Sequence, residues 1–411
     1  MRILVVTQYF WPENFRINDL VSELVKRGHQ VTVLTGKPNY PDGKFFPNFL
    51  ANPEEFKELN GVKIIRVPIL ARGVGNLKLA LNYLAFALSA SFLGPWLLKG
   101  QAFDAIFAYE PSPITVGIPA AVMRYFKKAP LIFWVLDLWP ETIQALDIVR
   151  SKFILWMLKK LVQQIYQRCD LILAQSKSFI PKIAQYTSAY SQIEYFPSWS
   201  DITLNDQVIK PASEIPIKSG CFNIMFAGNI GEAQDFPTIV EAAYILKSHL
   251  NIRWIIIGSG RQSKKLKEEV QMQGLEHCFL FLGQFSVERM PSFFVHADVL
   301  LVSLKKAPIF AMTIPGKLQS YLASGIPILA MLDGEGADII RNADAGIICS
   351  AGDSRELAKS VLRLSRTSIR DRQLMGKRGK ALSLREFDRD KLISKLERWF
   401  KLTQCRLIKK N

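Results

Sequence analysis

Cysteine and histidine are scarce in this chain of 411 residues, which has five cysteines and four histidines. The cysteines are scattered, and no two of them form a C-x-x-C pair. This spacing argues against a zinc site and against a disulfide framework, and it fits a reducing cytoplasm. The N-terminal apolar run "MRILVVTQYF" is too short for a signal peptide and has no small-residue cleavage site. It is typical of the first strand of a domain.

Tandem short repeats and low-complexity segments are also missing, whereas apolar residues make up 49% of the chain. The length exceeds that of one ordinary core and suits two domains. The formal charge of +17 predicts anionic partners, namely phosphorylated substrates, anionic lipid headgroups or nucleic acid. Nucleic acid ranks below the other two, because no motif that reads RNA or DNA is present.

Apolar strand-like runs alternate with helical patterns from end to end of the chain. Near-continuous apolar strands of this kind predict parallel sheets covered on both faces. A polar segment with two prolines, residues 201–220, divides the chain. The predicted fold class is therefore α/β, with Rossmann-like doubly wound domains over residues 1–205 and 206–385. Ligands bind beyond the carboxyl ends of such strands, so we expect the two domains to face a cleft.

One apolar stretch, residues 79–98, is about long enough to span a bilayer. It lies inside an α/β pattern, however, and a transmembrane helix there would split the first domain. A buried helix, or a helix at the membrane surface flanked by Lys78 and Lys99, fits better. We favour a core helix that exposes one apolar edge to anionic lipid, which predicts a protein peripherally bound to the inner face of the cell membrane.

The stretch "TIPGKLQSYLASGIPILA" carries the first chemical signal. A helix that begins near Lys317 presents free backbone N–H groups and a positive dipole end. Gly316, just after Pro315, lets the backbone come close to a ligand, and Lys317 adds a full charge, so the pattern predicts a phosphate site. The alternative is an ordinary helix start. A second signal is "MFAGNIGEAQDFP", in which Gly228 and Gly231 follow an apolar strand and permit close approach, or merely form a tight turn.

Three carboxylates follow apolar strands in the first half. Asp137 ends "LIFWVLD" and could orient or deprotonate a hydroxyl group. Its alternative role is to cap the helix at "WPETI", and both roles can hold together. Glu13 and Glu110 follow other strands, so all three are candidates for the acceptor side.

The motifs "YFWPENFRINDLVSELVKRGHQVTVLTGKPNYPDGK" and "FWVLDLWPETI", together with the two signals above, carry a resemblance over essentially the whole chain. The chain resembles GT-B glycosyltransferases of family 4, in the branch of colanic-acid and O-antigen sugar transferases that includes L-fucosamine transferase-like proteins. The resemblance implies retaining transfer of a sugar from a nucleotide-sugar, with UDP as the expected nucleotide, without metal or other cofactor. It also implies a C-terminal helix, within residues 386–411, that packs back on the first domain.

The resemblance assigns the donor to the second domain and the acceptor to the first, where a lipid-linked saccharide of surface polysaccharide synthesis would bind. Lys317, Asp137 and Glu13 are then the catalytic candidates, and Glu110 is an acceptor-side candidate. The donor-side candidates are Gly228, Asn229, Gly231, Gln234, Phe285, Thr313, Pro315, Gly316, Leu318 and Ser320. Among these, the backbone N–H groups of Gly231, Gly316 and Leu318 would assist Lys317 with the diphosphate, and Phe285 either borders a uracil pocket or packs in the core.

The sequence departs from the family pattern at four positions. Asn229 and Gln234 replace an arginine and a lysine, and Met312 and Ser320 replace two glutamates. A serine at position 320 would hold the donor's ribose only weakly, so a non-catalytic nucleotide- or lipid-binding paralogue stays a possibility, as does a UDP-sugar 2-epimerase of the same fold. The single D-x-D, Asp388–Asp390, lies in a basic tail and is interpreted as a solvated helix face rather than a metal site.

Overall fold

The computed structural model describes residues 1–41, 43–73, 75–187, 192–200 and 209–408. The chain divides into two compact units, the first formed by residues 1–196 with the segment from Asp390 onward, and the second by Pro197–Arg389. The predicted boundary between residues 205 and 206 lies outside the described residues. Both units are α/β domains with parallel sheets, which confirms the predicted fold class.

The first unit is built on an eight-stranded sheet in the order β3-β4-β2-β1-β5-β6-β7-β8, in which only β3 is antiparallel to its neighbour. Its strands are β1 Arg2–Val6, β2 Gln30–Gly36, β3 Glu58–Leu59, β4 Val62–Val67, β5 Ala105–Glu110, β6 Leu131–Val135, β7 Leu171–Ala174 and β8 Ile193–Tyr195. Its helices before the C-terminal segment are α1 Arg16–Lys26, α2 Pro47–Ala51, α3 Asn76–Leu97, α4 Gly117–Lys127, α5 Glu141–Ala145, α6 Lys152–Tyr166 and α7 Ile180–Ile183. The central strands are buried along their length, as a sheet covered on both faces requires.

The second unit holds a six-stranded parallel sheet in the doubly wound order β11-β10-β9-β12-β13-β14. Its strands are β9 Phe222–Ala227, β10 Ile252–Ile257, β11 Phe279–Gly283, β12 Val299–Ser303, β13 Ile328–Met331 and β14 Gly346–Cys349. Its helices are α8 Phe236–Ile245, α9 Ser263–Met272, α10 Met290–Phe294, α11 Pro308–Met312, α12 Gly316–Ser324, α13 Glu335–Ala343, α14 Ser354–Arg366 and α15 Ile369–Glu386. The order of the strands reverses between β9 and β12, so a ligand crevice is expected beyond their carboxyl ends.

The C-terminal helix α16, Arg389–Ile408, belongs to the first unit. Its apolar face is buried, and the ring of Phe400 lies 5.8 Å from that of Phe107 on β5. Glu397 accepts a hydrogen bond from Arg27 at 3.0 Å and lies 2.8 Å from Nε2 of His29. His29, just before β2, therefore has a structural role in holding α16 against the first unit.

Candidate active site

The loops after β9 and β10 touch each other through their backbones. A Cβ atom on Gly258 would lie 1.9 Å from the carbonyl oxygen of Gly228, and one on Gly260 would lie 2.2 Å from that of Ile230. Hydrogen bonds join the same loops, from Gly228 N to Ile257 O at 2.8 Å and from Ile230 N to Ser259 O at 2.8 Å. Side chains cannot fit between these loops, so the end of the sheet offers a backbone surface to a ligand.

Lys317 extends over this surface. A Cβ atom on Gly228 would lie 2.4 Å from Cε of Lys317, and Gly228 has a φ of +142° that favours glycine. The ammonium lies 4.7 Å from the centre of the Phe226 ring. Burial lowers the pKa of Lys317 to about 8. Within the described part of the chain no carboxylate forms an ion pair with Lys317, so this cation is placed to receive an anion.

The first turn of α12 fixes the position of Lys317. Pro315 is the residue before the helix, and Leu318 N donates to its carbonyl at 2.8 Å. The amide of the buried Gln319, oriented as a donor, lies 3.0 Å from the carbonyl oxygens of both Pro315 and Gly316. The hydroxyl of Tyr321 accepts a hydrogen bond from Ala227 N at 2.9 Å, at the end of β9. Tyr321 therefore joins the helix that carries Lys317 to the strand that carries Gly228, a role that the sequence analysis missed.

The predicted backbone donors are only partly available. Leu318 N is engaged with Pro315, and Gly231 N donates to Oε1 of Gln234 at 3.1 Å. These contacts contradict the expectation that Gly231 and Leu318 offer free N–H groups to a diphosphate. These hydrogen bonds form because each turn also directs its backbone N–H groups at acceptors within the same turn. Gln234 thus shapes the loop through its side-chain oxygen.

Other predicted donor-side residues lie around the same sheet edge. Asn229 is exposed, with Oδ1 2.7 Å from the place that a Cβ of Gly260 would take. Thr313 donates its hydroxyl to the carbonyl of Ile309 at 2.8 Å and so closes α11. Ser320 is partly buried on α12.

Phe285 lies in the loop after β11, and it is partly buried rather than part of the core. Its ring lies 4.6 Å from that of Phe293, and the guanidinium of Arg289 lies 5.0 Å from its centre. One face of the loop is therefore lined by an aromatic ring and a cation.

In the first unit, Asp137 and Glu110 lie at the carboxyl ends of β6 and β5. Asp137 accepts from the hydroxyl of Thr142 at 2.5 Å and from Nε1 of Trp139 at 3.2 Å. Pro140 takes the N-cap position of α5, so the contact of Asp137 with that helix is through the Thr142 side chain. Burial raises the pKa of Asp137. Asp137 remains a candidate for binding a hydroxyl group.

Glu110 is fully buried, and its Oε2 accepts from Asp137 N at 3.3 Å, while Oε1 meets no hydrogen-bond partner among the residues that the structure describes. Burial, together with the nearby Asp137 carboxylate, raises the pKa of Glu110 well above its ordinary value. A protonated Glu110 can hold the backbone at Asp137 but is shielded from a substrate. It is therefore a positioning residue for Asp137 rather than a contact for the acceptor.

Glu13 corrects another prediction. Its side chain is 2% exposed and accepts from three backbone N–H groups, those of Phe10 at 3.1 Å, Asn39 at 2.7 Å and Tyr40 at 2.8 Å. Burial raises its pKa to about 7, and the three donors oppose that shift. Because both oxygens are occupied in joining the loops after β1 and β2, Glu13 has a structural role in place of the predicted catalytic one.

No group of three or more histidine, cysteine, aspartate or glutamate side chains suited to a metal ion occurs among the residues that the structure describes. A cavity beside the Gly231 loop is lined by residues of both charges, including Glu232 and Lys305, which form an ion pair at 3.1 Å. The charge of Lys305 is therefore already compensated, unlike that of Lys317.

The chain thus has two doubly wound α/β domains. The second presents glycine backbone and Lys317 where its strand order reverses. This is the architecture of the GT-B class of fold. Residues 221–367 match the family model described as glycosyl transferases group 1, and residues 14–199 match the glycosyl transferase 4-like domain. The chain therefore belongs to the glycosyltransferases that combine these two domains, as the sequence resemblance implied.

Individual relatives agree with this assignment. The chain is 25% identical over 346 residues, 79% of its length, to WcaI of Escherichia coli K12, a protein named as a colanic acid biosynthesis glycosyl transferase, of which 82% is covered. It is structurally similar to HepE of Anabaena, solved with UDP and glucose, with a TM-score of 0.69 and 14% identity over 98% of this chain and 99% of HepE. Sucrose-phosphate synthase of Thermosynechococcus elongatus gives a TM-score of 0.70 at 14% identity over 98% of both chains.

Proposed function

We propose that this protein is a retaining glycosyltransferase that moves a hexose from a UDP-sugar to an acceptor hydroxyl in surface polysaccharide synthesis, such as that of O-antigen. The observation that carries the proposal is the uncompensated ammonium of Lys317 above Gly228, at the reversal of strand order where α/β domains bind ligands. The UDP complex of HepE and the name of WcaI support the donor and the pathway class. Retention follows from the family resemblance.

The central chemical task in this reaction is to stabilise the charge that develops on the departing diphosphate. Lys317 supplies a full positive charge, and the start of α12 adds the positive end of a helix dipole. In the proposed mechanism, the lysine and the helix dipole stabilise the charge that a divalent ion stabilises in metal-dependent transferases. On the first unit, Asp137 would accept a hydrogen bond from the acceptor hydroxyl and receive its proton as the new bond forms.

The test of this mechanism is Lys317→Ala, assayed by UDP release over a panel of UDP-sugars with an acceptor extract. We expect turnover to fall at least about a hundredfold with the fold intact. An excess of EDTA should leave wild-type turnover unchanged. Near-normal turnover of Lys317→Ala, or loss of wild-type activity with the chelator, would contradict the mechanism. Interconversion of a UDP-sugar without acceptor would instead support an epimerase.

We further propose that the acceptor is lipid-linked and that the first unit binds an anionic membrane surface at the cytoplasmic side. Helix α3 is long and apolar enough to cross a membrane, and only 28% of its 18-residue apolar segment is buried inside the protein. Asn82 nevertheless ties α3 to the domain through a buried hydrogen bond with Gln8 at 2.7 Å and a partly buried one to Leu70 O at 2.5 Å. The exposed apolar face is thus broader than the single edge that the sequence analysis expected.

Neighbouring helices extend this face. Helix α4 packs against both α3 and α6, and the exposed large apolar residues on the three are Leu77, Leu81, Leu84, Leu88, Phe92, Leu93, Trp96, Tyr125, Phe126, Phe153, Ile154, Trp156 and Met157. Exposed lysines accompany them at positions 78, 99, 128, 152, 159 and 160. Apolar rings and leucines among lysines suit an anionic bilayer, at about 1 kcal/mol for each lysine near the surface.

A flotation assay with vesicles containing anionic phospholipid tests this face. The double variant Phe92→Ser/Trp96→Ser should lose vesicle binding, while Ile217→Ser, which removes an even more exposed apolar residue from the second unit, should retain it. Both variants should bind UDP normally. Unchanged flotation of the double variant, or self-association that disappears with the same substitutions, would contradict a membrane role.

A further inference from the structure

Arg72 lies in the loop between β4 and α3 and is held there by a rigid polar network. Its backbone N–H donates to Oδ1 of the fully buried Asn39 at 3.0 Å. Asn82, also fully buried, donates to the carbonyl of Leu70 in the same loop and accepts from Gln8 at the end of β1. The loop is therefore fixed to the carboxyl edge of the first sheet.

An aromatic cluster supports the Arg72 side chain. The rings of Tyr9, Phe15 and Tyr40 lie 5.1 to 5.6 Å from one another. The Arg72 guanidinium lies 5.1 Å from the centre of the Tyr40 ring and 6.0 Å from that of Tyr9. Its Nη1 lies 3.5 Å from the Tyr9 hydroxyl. Stacking of this kind orients a guanidinium while leaving its hydrogen-bond donors available.

Among the described residues, no acidic side chain forms an ion pair with Arg72. Its side chain is half-buried, and Nε is buried without an acceptor in the ranges that the structure covers. Arg66, on β4, differs from Arg72 because both of its Nη atoms donate to carbonyl oxygens, those of Gly36 and Trp11, and because it lies near Glu13. Its Nε, like that of Arg72, is buried without an acceptor among the described residues. A desolvated cation that is not satisfied is costly, and an anionic ligand would offset that cost.

Tyr83 connects Arg72 to Asp137. Its hydroxyl hydrogen-bonds with those of Tyr9 and Ser112. Burial raises the pKa of Tyr83, the nearby charge of Arg72 opposes that rise, and the nearby Asp137 carboxylate adds to it. Its ring lies 6.4 Å from that of Trp139, whose Nε1 donates to Asp137. The guanidinium and the candidate base therefore belong to one cluster at the carboxyl edge of the first sheet.

We propose that Arg72 binds the phosphate or diphosphate group of the acceptor molecule, while the sugar hydroxyl of that molecule lies at Asp137. This inference rests on the proposed transferase function and assigns its acceptor to the class of phosphorylated compounds. The guanidinium fork matches phosphate oxygens in a bidentate way, and the tyrosine hydroxyls add neutral donors beside it. The anion can belong to a lipid headgroup or to a soluble phosphate ester.

Calorimetric titration of the full-length protein with two probes, inorganic pyrophosphate and farnesyl diphosphate, tests the proposal. The protein is first saturated with UDP, so that the Lys317 site is occupied. We expect Arg72→Gln to weaken binding of at least one probe by about tenfold or more, since a charge-assisted pair is lost. The matched control Arg168→Gln removes an exposed arginine of the same unit and should bind as wild type does.

The outcomes separate the alternatives. Loss for both probes supports an anion site that needs no lipid, loss for farnesyl diphosphate alone supports a prenyl-linked acceptor, and loss for pyrophosphate alone supports a soluble one. Equal binding of both probes to Arg72→Gln and to wild type would overturn the proposal. If Arg72→Gln misfolds by circular dichroism, Arg72→Lys is the second variant, and it should weaken binding because a point charge replaces the fork. Failure of wild type to bind UDP would count against the proposed function, and Arg72 would then be tested by the same titration without UDP in Lys317→Ala.

Discussion

The pH dependence of UDP binding offers the most direct test of Lys317. The structure lowers its pKa from the usual 10.5 to about 8 by burial. The free protein therefore loses the ammonium charge as the pH rises through 8. Bound diphosphate favours the charged form and raises the pKa again in the complex. The affinity for UDP should consequently fall as the pH is raised from 7 to 9.

The magnitude follows from the protonated fraction. With a pKa of about 8, about nine-tenths of the free protein carries the charge at pH 7 and about one-tenth carries it at pH 9. If the complex remains protonated over this range, the Kd rises about tenfold, which corresponds to about 1.4 kcal/mol. A lysine at its usual pKa would give almost no change over the same two pH units.

Isothermal titration calorimetry between pH 7 and 9 measures this effect, with Lys317→Arg as the matched control. Arginine keeps its charge throughout, so its profile should be flat apart from ionisation of the ligand itself, which appears equally in both proteins. Lys317→Ala should bind weakly with the same flat profile. A tenfold loss in all three proteins, or a flat wild-type profile, would refute the assignment of the diphosphate to Lys317.

Three further substitutions test separate parts of the two units. Gly228→Ala should weaken UDP binding and lower the free energy of unfolding by about 1–3 kcal/mol, because the φ of +142° is strained for alanine and the Lys317 side chain must move. Normal UDP affinity would argue against UDP binding at the backbone of Gly228. Glu13→Gln should lower that free energy by about 1–3 kcal/mol in urea unfolding, because an amide group replaces one acceptor oxygen, with UDP affinity unchanged; unchanged stability would dispute the structural role. Asp137→Asn should lower turnover without changing UDP affinity, and retention of full turnover would remove Asp137 from the reaction.

The fold, and the helix start that places Lys317 beside Gly228, could be predicted because their signals are local. Buried strands of a parallel sheet have continuous apolar sequences, and glycines mark the turns that follow them. Gly228 follows such a run in the sequence, and Gly316 and Lys317 lie at a recognisable helix start. These features need no knowledge of which strands are neighbours.

The errors and omissions depend on contacts between distant segments. Glu13 follows a strand in the sequence as a catalytic acid would, yet its partners Asn39 and Tyr40 belong to another loop. Tyr321 looks like an ordinary core residue until its hydroxyl meets Ala227, 94 positions away. Arg72 lies in the loop "PILARGVG", which is mostly apolar and carries no motif. Its importance follows from the lack of an ion pair within the described residues, and a sequence does not record which charges are paired in the fold.

Helix α3 links two of the proposals, because its two sides have different tasks within one rigid element. Asn82 and Tyr83 face the polar cluster that includes Arg72, whereas Leu84 and Leu88, one turn apart, are exposed. If the outer face rests on a bilayer, the same helix holds the Arg72 loop at a fixed height above the acyl chains. A phosphate of a lipid headgroup would then meet Arg72 without a separate recognition domain. Substitutions on the outer face should accordingly impair transfer to a membrane-borne acceptor but leave binding of soluble pyrophosphate unchanged, and an equal effect on both would contradict this coupling.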